Sequence, residues 1–207
     1  MKRALLLLAV MACGGKTPQT RFYQLATPAS HPAQAGDTVV VVEPLATDSA
    51  YDDERIVYRQ SPYRLDYYAY HRWVSSPGTM VSDYLAESLA HTGRFRAIAR
   101  ELTDAAAVVL GGRVIAIEEV DRTDHHWVGR IALELTLTDA RTGEVLWSQQ
   151  FEETEPLPQQ SPEGLAAAIS RAMGRVVERV VPTIADTATQ QALIHTQKKP
   201  MANRVPR

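Results

Sequence analysis

The sequence predicts an α+β domain in which two main helices pack on one face of a mixed or antiparallel sheet. Three observations carry this expectation. Runs of β-branched or alternating residues recur through most of the chain, and only two stretches show clear helical spacing. Each of those two stretches opens on the same dipeptide, Ser76-Pro77 and Ser161-Pro162.

The elements follow in order. "RFYQLA" (21–26) reads as a short strand, and "TPASHPAQAG" (27–36), rich in proline and alanine, reads as an exposed loop. "TVVVVEP" (38–44) is continuous and β-branched, which suits a strand buried on both faces and closed by Pro44. "ERIVYRQ" (54–60) and the aromatic-dense "YRLDYYAY" (63–70) continue the extended pattern.

Ser76 as N-cap and Pro77 at the first helical position begin the first helix. Met80, Val81, Tyr84, Leu85 and Leu89 recur at three-four spacing, and Gly93 supplies the stop. "FRAIAR" (95–100) returns as a short strand.

The second half reads as a long antiparallel meander. In "AVVLGGRVIAIEEV" (107–120), Gly111 and Gly112 mark a bulge or a close backbone approach. "WVGRIALELTLTD" (127–139) places Ile131, Leu133, Leu135 and Leu137 on one face and Arg130, Glu134 and Thr136 on the other. "DARTGEV" (139–145) is a turn with Gly143 suited to a left-handed conformation, and "EVLWSQQFEE" (144–153) pairs back.

The last helix starts at Ser161-Pro162, with Leu165, Ile169, Met173, Val176, Val177, Val180 and Val181 as its apolar stripe. Pro182 is expected to bend or end it. Past Ala185 the chain turns polar and then basic, so 186–207 is expected to be a disordered basic tail.

At the other end, Lys2 and Arg3 precede an apolar run of nine residues, Ala4 to Ala12. A helix across a bilayer needs about twenty. A basic start, a short apolar stretch and small residues together form a secretory signal. Val10-Met11-Ala12-Cys13 resembles the lipobox of bacterial lipoproteins, in which the cysteine becomes the N-terminus. The resemblance implies that Cys13 carries a thioether-linked diacylglycerol and an amide-linked acyl chain, expected to be palmitate. The other reading is an ordinary secreted chain with an unpaired thiol, and acylation removes that anomaly. Several acyl chains together anchor for long times where one does so only marginally. Gly14 stands where an aspartate would resemble an inner-membrane retention signal, which favours the outer membrane.

Residues 1–12 are thus expected to be a signal peptide, 13–20 a lipidated tether, and 21–185 one domain. Of 22 basic residues two, Lys2 and Arg3, lie in the leader, which leaves 20 against 24 acidic ones and argues against a nucleic-acid binder. At 45% hydrophobic and 22% charged, the chain has the balance of a globular protein with a real core.

Catalytic signatures are missing from the sequence. His125 and His126 are adjacent and so point to opposite faces of an extended segment, which suits a hairpin turn, "DRTDHH", better than a metal site. There is no G-x-S-x-G, no H-E-x-x-H and no phosphate loop. The acidic pairs Asp52-Asp53 and Glu152-Glu153 read as solvated. An enzyme is not expected, and neither a metal nor a cofactor is called for.

The unusual stretch is "YRLDYYAYHRWVSSPGTM" (63–80), with Tyr63, Tyr67, Tyr68 and Tyr70 followed by Arg72 and Trp73. Rings here close the core where strand meets helix. Tyr, Trp and Arg are also the types that dominate protein interfaces, so Tyr67, Tyr70, Arg72 and Trp73 are the candidate contact residues. Both readings can hold for different rings.

"FYQL" after a lipobox, then "VVVVEPL", "ERIVYR", and "YYAYHRWVSSPGTMVSDYLAESLAHTGRF", with a later "LTDARTGEVLWSQQF", resemble the ABC-type transport auxiliary lipoprotein family, to which PqiC-like proteins belong. The similarity covers roughly residues 21–181. It implies a non-catalytic component of a lipid-transport system of Gram-negative envelopes. Such a lipoprotein would sit on the periplasmic face of the outer membrane and dock an MCE-domain tunnel protein, either as one copy or as a homo-oligomer. The alternative is a periplasmic carrier that holds an acyl chain in its own cavity, which would need several hundred Å³ of apolar space.

Overall fold

A computed structural model describes residues 18–28, 36–123 and 126–197. The expected signal peptide, Cys13, most of the 27–36 loop, Asp124, His125 and the last ten residues of the expected tail lie outside the described residues.

Among the described residues, nine strands and two helices follow one another as β1 (Arg21–Tyr23), β2 (Val39–Val42), β3 (Ala46–Thr47), β4 (Arg55–Ser61), β5 (Arg64–Trp73), α1 (Pro77–His91), β6 (Ala97–Ala99), β7 (Ala106–Thr123), β8 (His126–Asp139), β9 (Val145–Pro156) and α2 (Pro162–Gln197). The spine is β7. Along one edge it pairs in parallel with β2, then β3, then β4, and along the other it pairs antiparallel with β8. Outside these, β6 lies beside β2, β5 and then β1 beside β4, and β9 beside β8. The sheet is therefore mixed, and the fold class is α+β as the sequence predicts.

Side-chain alternation sorts the two faces. Val40 and Val42 join the main core with the helices, while Val41 meets Ala106 and Val109 in a small cluster of its own. All four valines of β2 are buried, as expected of a strand covered on both faces. Ile131, Leu133, Leu135 and Leu137 of β8 are all fully buried in the main core. Gly129 lies directly under α2, where an added Cβ would come within 3.1 Å of Ile169 Cδ1 and 3.2 Å of Ala168 Cβ. α1 and α2 meet through Tyr84, whose hydroxyl donates to the Ser170 carbonyl at 3.0 Å.

The glycine pair in β7 is a close approach. Gly112 has φ 141°, and a Cβ there would sit 1.9 Å from the Glu134 carbonyl oxygen. The pairing with β8 stays regular across it; the irregularities fall later, between Val114 and Ala116 and between Asp121 and Thr123. Gly143 has φ 72° in the β8–β9 turn, the left-handed position its sequence suggests.

The two Ser-Pro starts behave differently. At α2 the Gly164 N–H donates to Ser161 Oγ at 3.0 Å, a true side-chain cap. At α1 Ser76 Oγ instead bonds Thr79 Oγ1 at 3.0 Å and caps no backbone N–H. Pro77 accounts for that start by its fixed φ and missing N–H.

The end of α2 corrects the sequence reading. The helix passes through Pro182 and runs to Gln197, so residues 186–197 are helical and not a disordered tail. Ile184, Ala188 and His195 are buried, and these contacts hold the extension against the sheet although proline deletes one helical hydrogen bond. Polar composition misled because a helix with a narrow apolar stripe needs only every third or fourth residue buried.

Candidate docking surface

The β4–β5 hairpin presents one face to the helices and the other outward. Arg55 pairs with Arg72 and Val57 with Tyr67, and cross-strand partners share a face. Arg55, Tyr67 and Arg72 therefore lie together on the outer face. Two like charges opposite each other would repel, and each has its own acid. Arg55 grips Asp53 at 2.7 and 3.0 Å, and Arg72 lies 3.9 Å from Glu54. Those hydrogen bonds from Arg55 hold the Asp53 carboxyl below the usual carboxylate range. The Arg55 guanidinium also stacks 4.4 Å above the Tyr67 ring, whose hydroxyl donates to the Ala50 carbonyl at 2.9 Å.

Alternation along β5 brings Tyr70 to the same side as Arg72, and β1 adds Phe22 beside it, paired with Arg72. Val74 follows, its N–H donating to the Tyr23 carbonyl at 2.9 Å. Phe22 is 58%, Tyr70 45% and Val74 50% exposed, an apolar edge bordered by Arg21 and Arg72. The sequence pointed to Tyr70 and Arg72; it missed Phe22 and Val74, because only the β1–β5 pairing brings them alongside.

Trp73 requires a correction. It is 1% exposed and belongs to the main core, so it cannot touch a partner of the folded chain. Neighbours in a strand face opposite ways, which splits the Arg72-Trp73 pair between surface and core. On the helix side Trp73 is accompanied by Tyr68, whose hydroxyl donates to Glu119 Oε1 at 3.2 Å. Burial raises the Tyr68 phenol, and burial likewise raises the Glu119 carboxyl.

Further along the outer face lies a charged cluster that sequence reasoning did not assemble. Glu118 is 0% exposed. Its carboxylate accepts from Tyr51 at 2.8 Å, Arg59 at 3.0 Å and Arg130 at 2.8 Å. Arg130 also donates to Glu152 at 2.9 Å, and Arg59 to the Tyr51 hydroxyl at 2.9 Å. Burial and then the Glu118 carboxylate push the Tyr51 phenol up to about 12. The cue in the sequence is two adjacent acids, Glu118-Glu119, inside an otherwise apolar strand. One falls on each face, so each must find partners.

Arg59, Glu118, Val120, Asp121 and Arg130 line an open cleft of about 570 Å³ between the β4–β5 and β7–β8 hairpins. Its lining includes the Glu118 carboxylate, ion-paired to Arg59 and Arg130. Chemically the outer face offers recognition: cations held in place by acids, stacked rings, and an apolar edge. Among the described residues no group of three or more His, Cys, Asp or Glu side chains is placed to hold a metal ion. No helix among them is long and apolar enough to cross a membrane.

Residues 23–181 match the family model described as "ABC-type transport auxiliary lipoprotein component". Among solved structures, protein XCC0632 from Xanthomonas campestris is 20% identical with a TM-score of 0.72, covering 84% of this chain and 99% of that one. A second, described as an uncharacterized protein, is 13% identical with a TM-score of 0.67 over 81% of this chain and 99% of that one. PelC from Paraburkholderia phytofirmans, described as a dodecamer, is 17% identical over 76% of this chain and 95% of that one, with a TM-score of 0.46. No curated protein matches the sequence.

Proposed function

The chain belongs to the ABC-type transport auxiliary lipoprotein family, and on that footing we propose that it is a non-catalytic docking component of a lipid transporter. It is anchored through acylated Cys13 on the periplasmic face of the outer membrane and receives the end of an MCE-domain tunnel protein. The observation that supports this most directly is the family match across residues 23–181, which runs from the end of β1 into α2 as far as Val181. The outer face of β5 and β1 supplies the contact surface: Phe22, Tyr70 and Val74 as apolar anchors, Arg72 and Tyr67 beside them. Tyrosine and arginine are enriched among the residues that carry binding energy at interfaces.

Reconstituting the acylated protein with a candidate MCE partner tests the reading. Wild type is expected to co-purify, while Tyr70→Ala/Arg72→Glu loses at least tenfold in affinity with an unchanged melting temperature. Failure of wild type to bind overturns the MCE reading. Equal binding by the folded double variant overturns the assignment of the surface.

A further inference from the structure

We propose that the tip of the β4–β5 hairpin, Pro62 and Tyr63 flanked by Arg64, dips into the headgroup region of the phospholipid leaflet that holds the acylated chain; this rests on the lipid-anchor reading above. The first observation is an exposed ring that water disfavours. Tyr63 is 98% exposed, the highest among the exposed large hydrophobic residues.

Secondly, two of the tip's backbone polar groups already have partners within the protein. Pro62 has no N–H, and its carbonyl accepts from Arg59 Nη1 at 3.1 Å. The Tyr63 N–H donates to Ser61 Oγ at 3.3 Å. A loop whose polar groups are bonded within the protein enters a low-dielectric region at far smaller cost than one that must shed water. Tyrosine suits the boundary, with its ring among the acyl carbons and its hydroxyl among headgroups. Arg64, 66% exposed at its side chain and bonded to Asp66 through Nε alone, keeps its terminal nitrogens for phosphate oxygens.

Chain geometry then places the leaflet at this end. β1 runs parallel to β5 with Arg21 opposite His71, so the chain arrives at Arg21 from the side of the hairpin tip. Tyr63 lies eight residues before His71, and Cys13 lies eight residues before Arg21. At the extended limit each stretch spans at most about 27 Å. The tether can therefore bring Cys13 level with Tyr63 but cannot hold the domain far above the leaflet. The end of β7 reaches the same height, because Arg59 of β4 pairs with Val120 of β7. The apolar edge of Phe22, Tyr70 and Val74 lies further down the sheet and stays free for a protein partner.

The experiment uses full-length mature protein, its Cys13 acylation verified by intact mass, in phosphatidylethanolamine–phosphatidylglycerol vesicles with bromine at shallow or deep acyl positions. Tyr63→Trp adds one indole at a fully exposed position, and its emission is taken as the difference from wild type. Shallow bromines are expected to lower that difference at least twofold from its value in bromine-free lipid. An acylated, vesicle-bound protein whose added indole emits as in water and is not quenched overturns the inference and leaves the anchor intact. A mature chain with no acyl group at Cys13 overturns the anchor reading, and this inference with it.

Discussion

His195 Nε2 lies 2.8 Å from Asp139 Oδ2 although the two residues are 56 positions apart, and both are under a tenth exposed. Asp139 closes the β8–β9 turn through its other oxygen, which accepts from the Arg141 and Thr142 N–H groups at 2.7 and 2.8 Å. Arg141 donates in turn to the His195 carbonyl at 3.2 Å. One carboxylate thus joins a turn of the sheet to the last turn of α2. Burial opposes the charge, but the Thr142 N–H, the His195 ring and the Arg141 N–H outweigh it and lower the Asp139 pKa to about 2. A depressed folded-state pKa stabilises above the ordinary value near 3.8 and ceases to do so as pH falls through about 2. Linkage through this shift is worth about 2 kcal/mol near neutral pH, shared among the Thr142, His195 and Arg141 donors. Urea titrations of wild type and Asp139→Asn at pH 7 and pH 2 check this: the gap between them should narrow strongly at the lower pH.

Trp73→Ala is expected to remove about 3–5 kcal/mol of stability, since a fully buried indole leaves a cavity between β5 and the helices. Thermal melts show the loss directly. A melting temperature within a degree or two of wild type would contradict the core placement.

The cluster around Glu118 predicts an asymmetry. Removing the carboxylate leaves Arg59 and Arg130, with side chains 24% and 28% exposed, able to regain water. Removing both arginines leaves a carboxylate of zero exposure with only the Tyr51 hydroxyl as partner. Arg59→Met/Arg130→Met should therefore cost more than Glu118→Gln, by roughly 2 kcal/mol or more. Equal losses in denaturant titrations would sink the argument.

The same cluster sets a titration. With a folded-state pKa of about 12 against an ordinary 10, Tyr51 keeps its proton while exposed tyrosines lose theirs. A raised folded pKa stabilises below pH 10 and stops doing so as pH rises through about 12. Difference absorbance near 295 nm, a wavelength of order set by the tyrosinate band, should show Tyr51→Phe losing amplitude only in the late part of the curve.

β9 is an edge strand guarded by α2. Arg175 donates to the Thr154 carbonyl at 3.1 Å and Arg171 to the Pro156 carbonyl at 3.3 Å, while their other nitrogens hold Glu153 and Glu155. Arg179 reaches Glu153 as well. Capped carbonyls cannot accept a foreign strand. Arg171→Ser/Arg175→Ser is expected to self-associate at concentrations where wild type keeps its native mass, as light scattering would show. An unchanged mass would mean that these caps do not guard the edge.

Much of this architecture was legible because it rests on local chemistry. The alternation in 127–139, the three-four stripes of both helices, the Ser-Pro starts and the glycine in the β8–β9 turn each depend on neighbours within a few residues. The two-residue β3 was not legible, since a strand that short has no period. Neither was the extension of α2, whose stability comes from Asp139, far away in sequence. Within the aromatic stretch the sequence supplied the right residue types without their sides. Tyr70 and Arg72 came to the surface and Trp73 to the core because a strand alternates and a bulge in β5 sets the phase of that alternation.

By itself, then, the sequence determined the fold class, the two helices and the family resemblance, all properties of local pattern and composition. Only the tertiary structure decided which rings are free, that Glu118 gathers Tyr51, Arg59 and Arg130 from three other places in the chain, and that β1 pairs in parallel with the end of β5. Those facts depend on pairing between distant strands. Such pairing is fixed by the packing of the whole sheet against its helices, and no window of a few residues contains it.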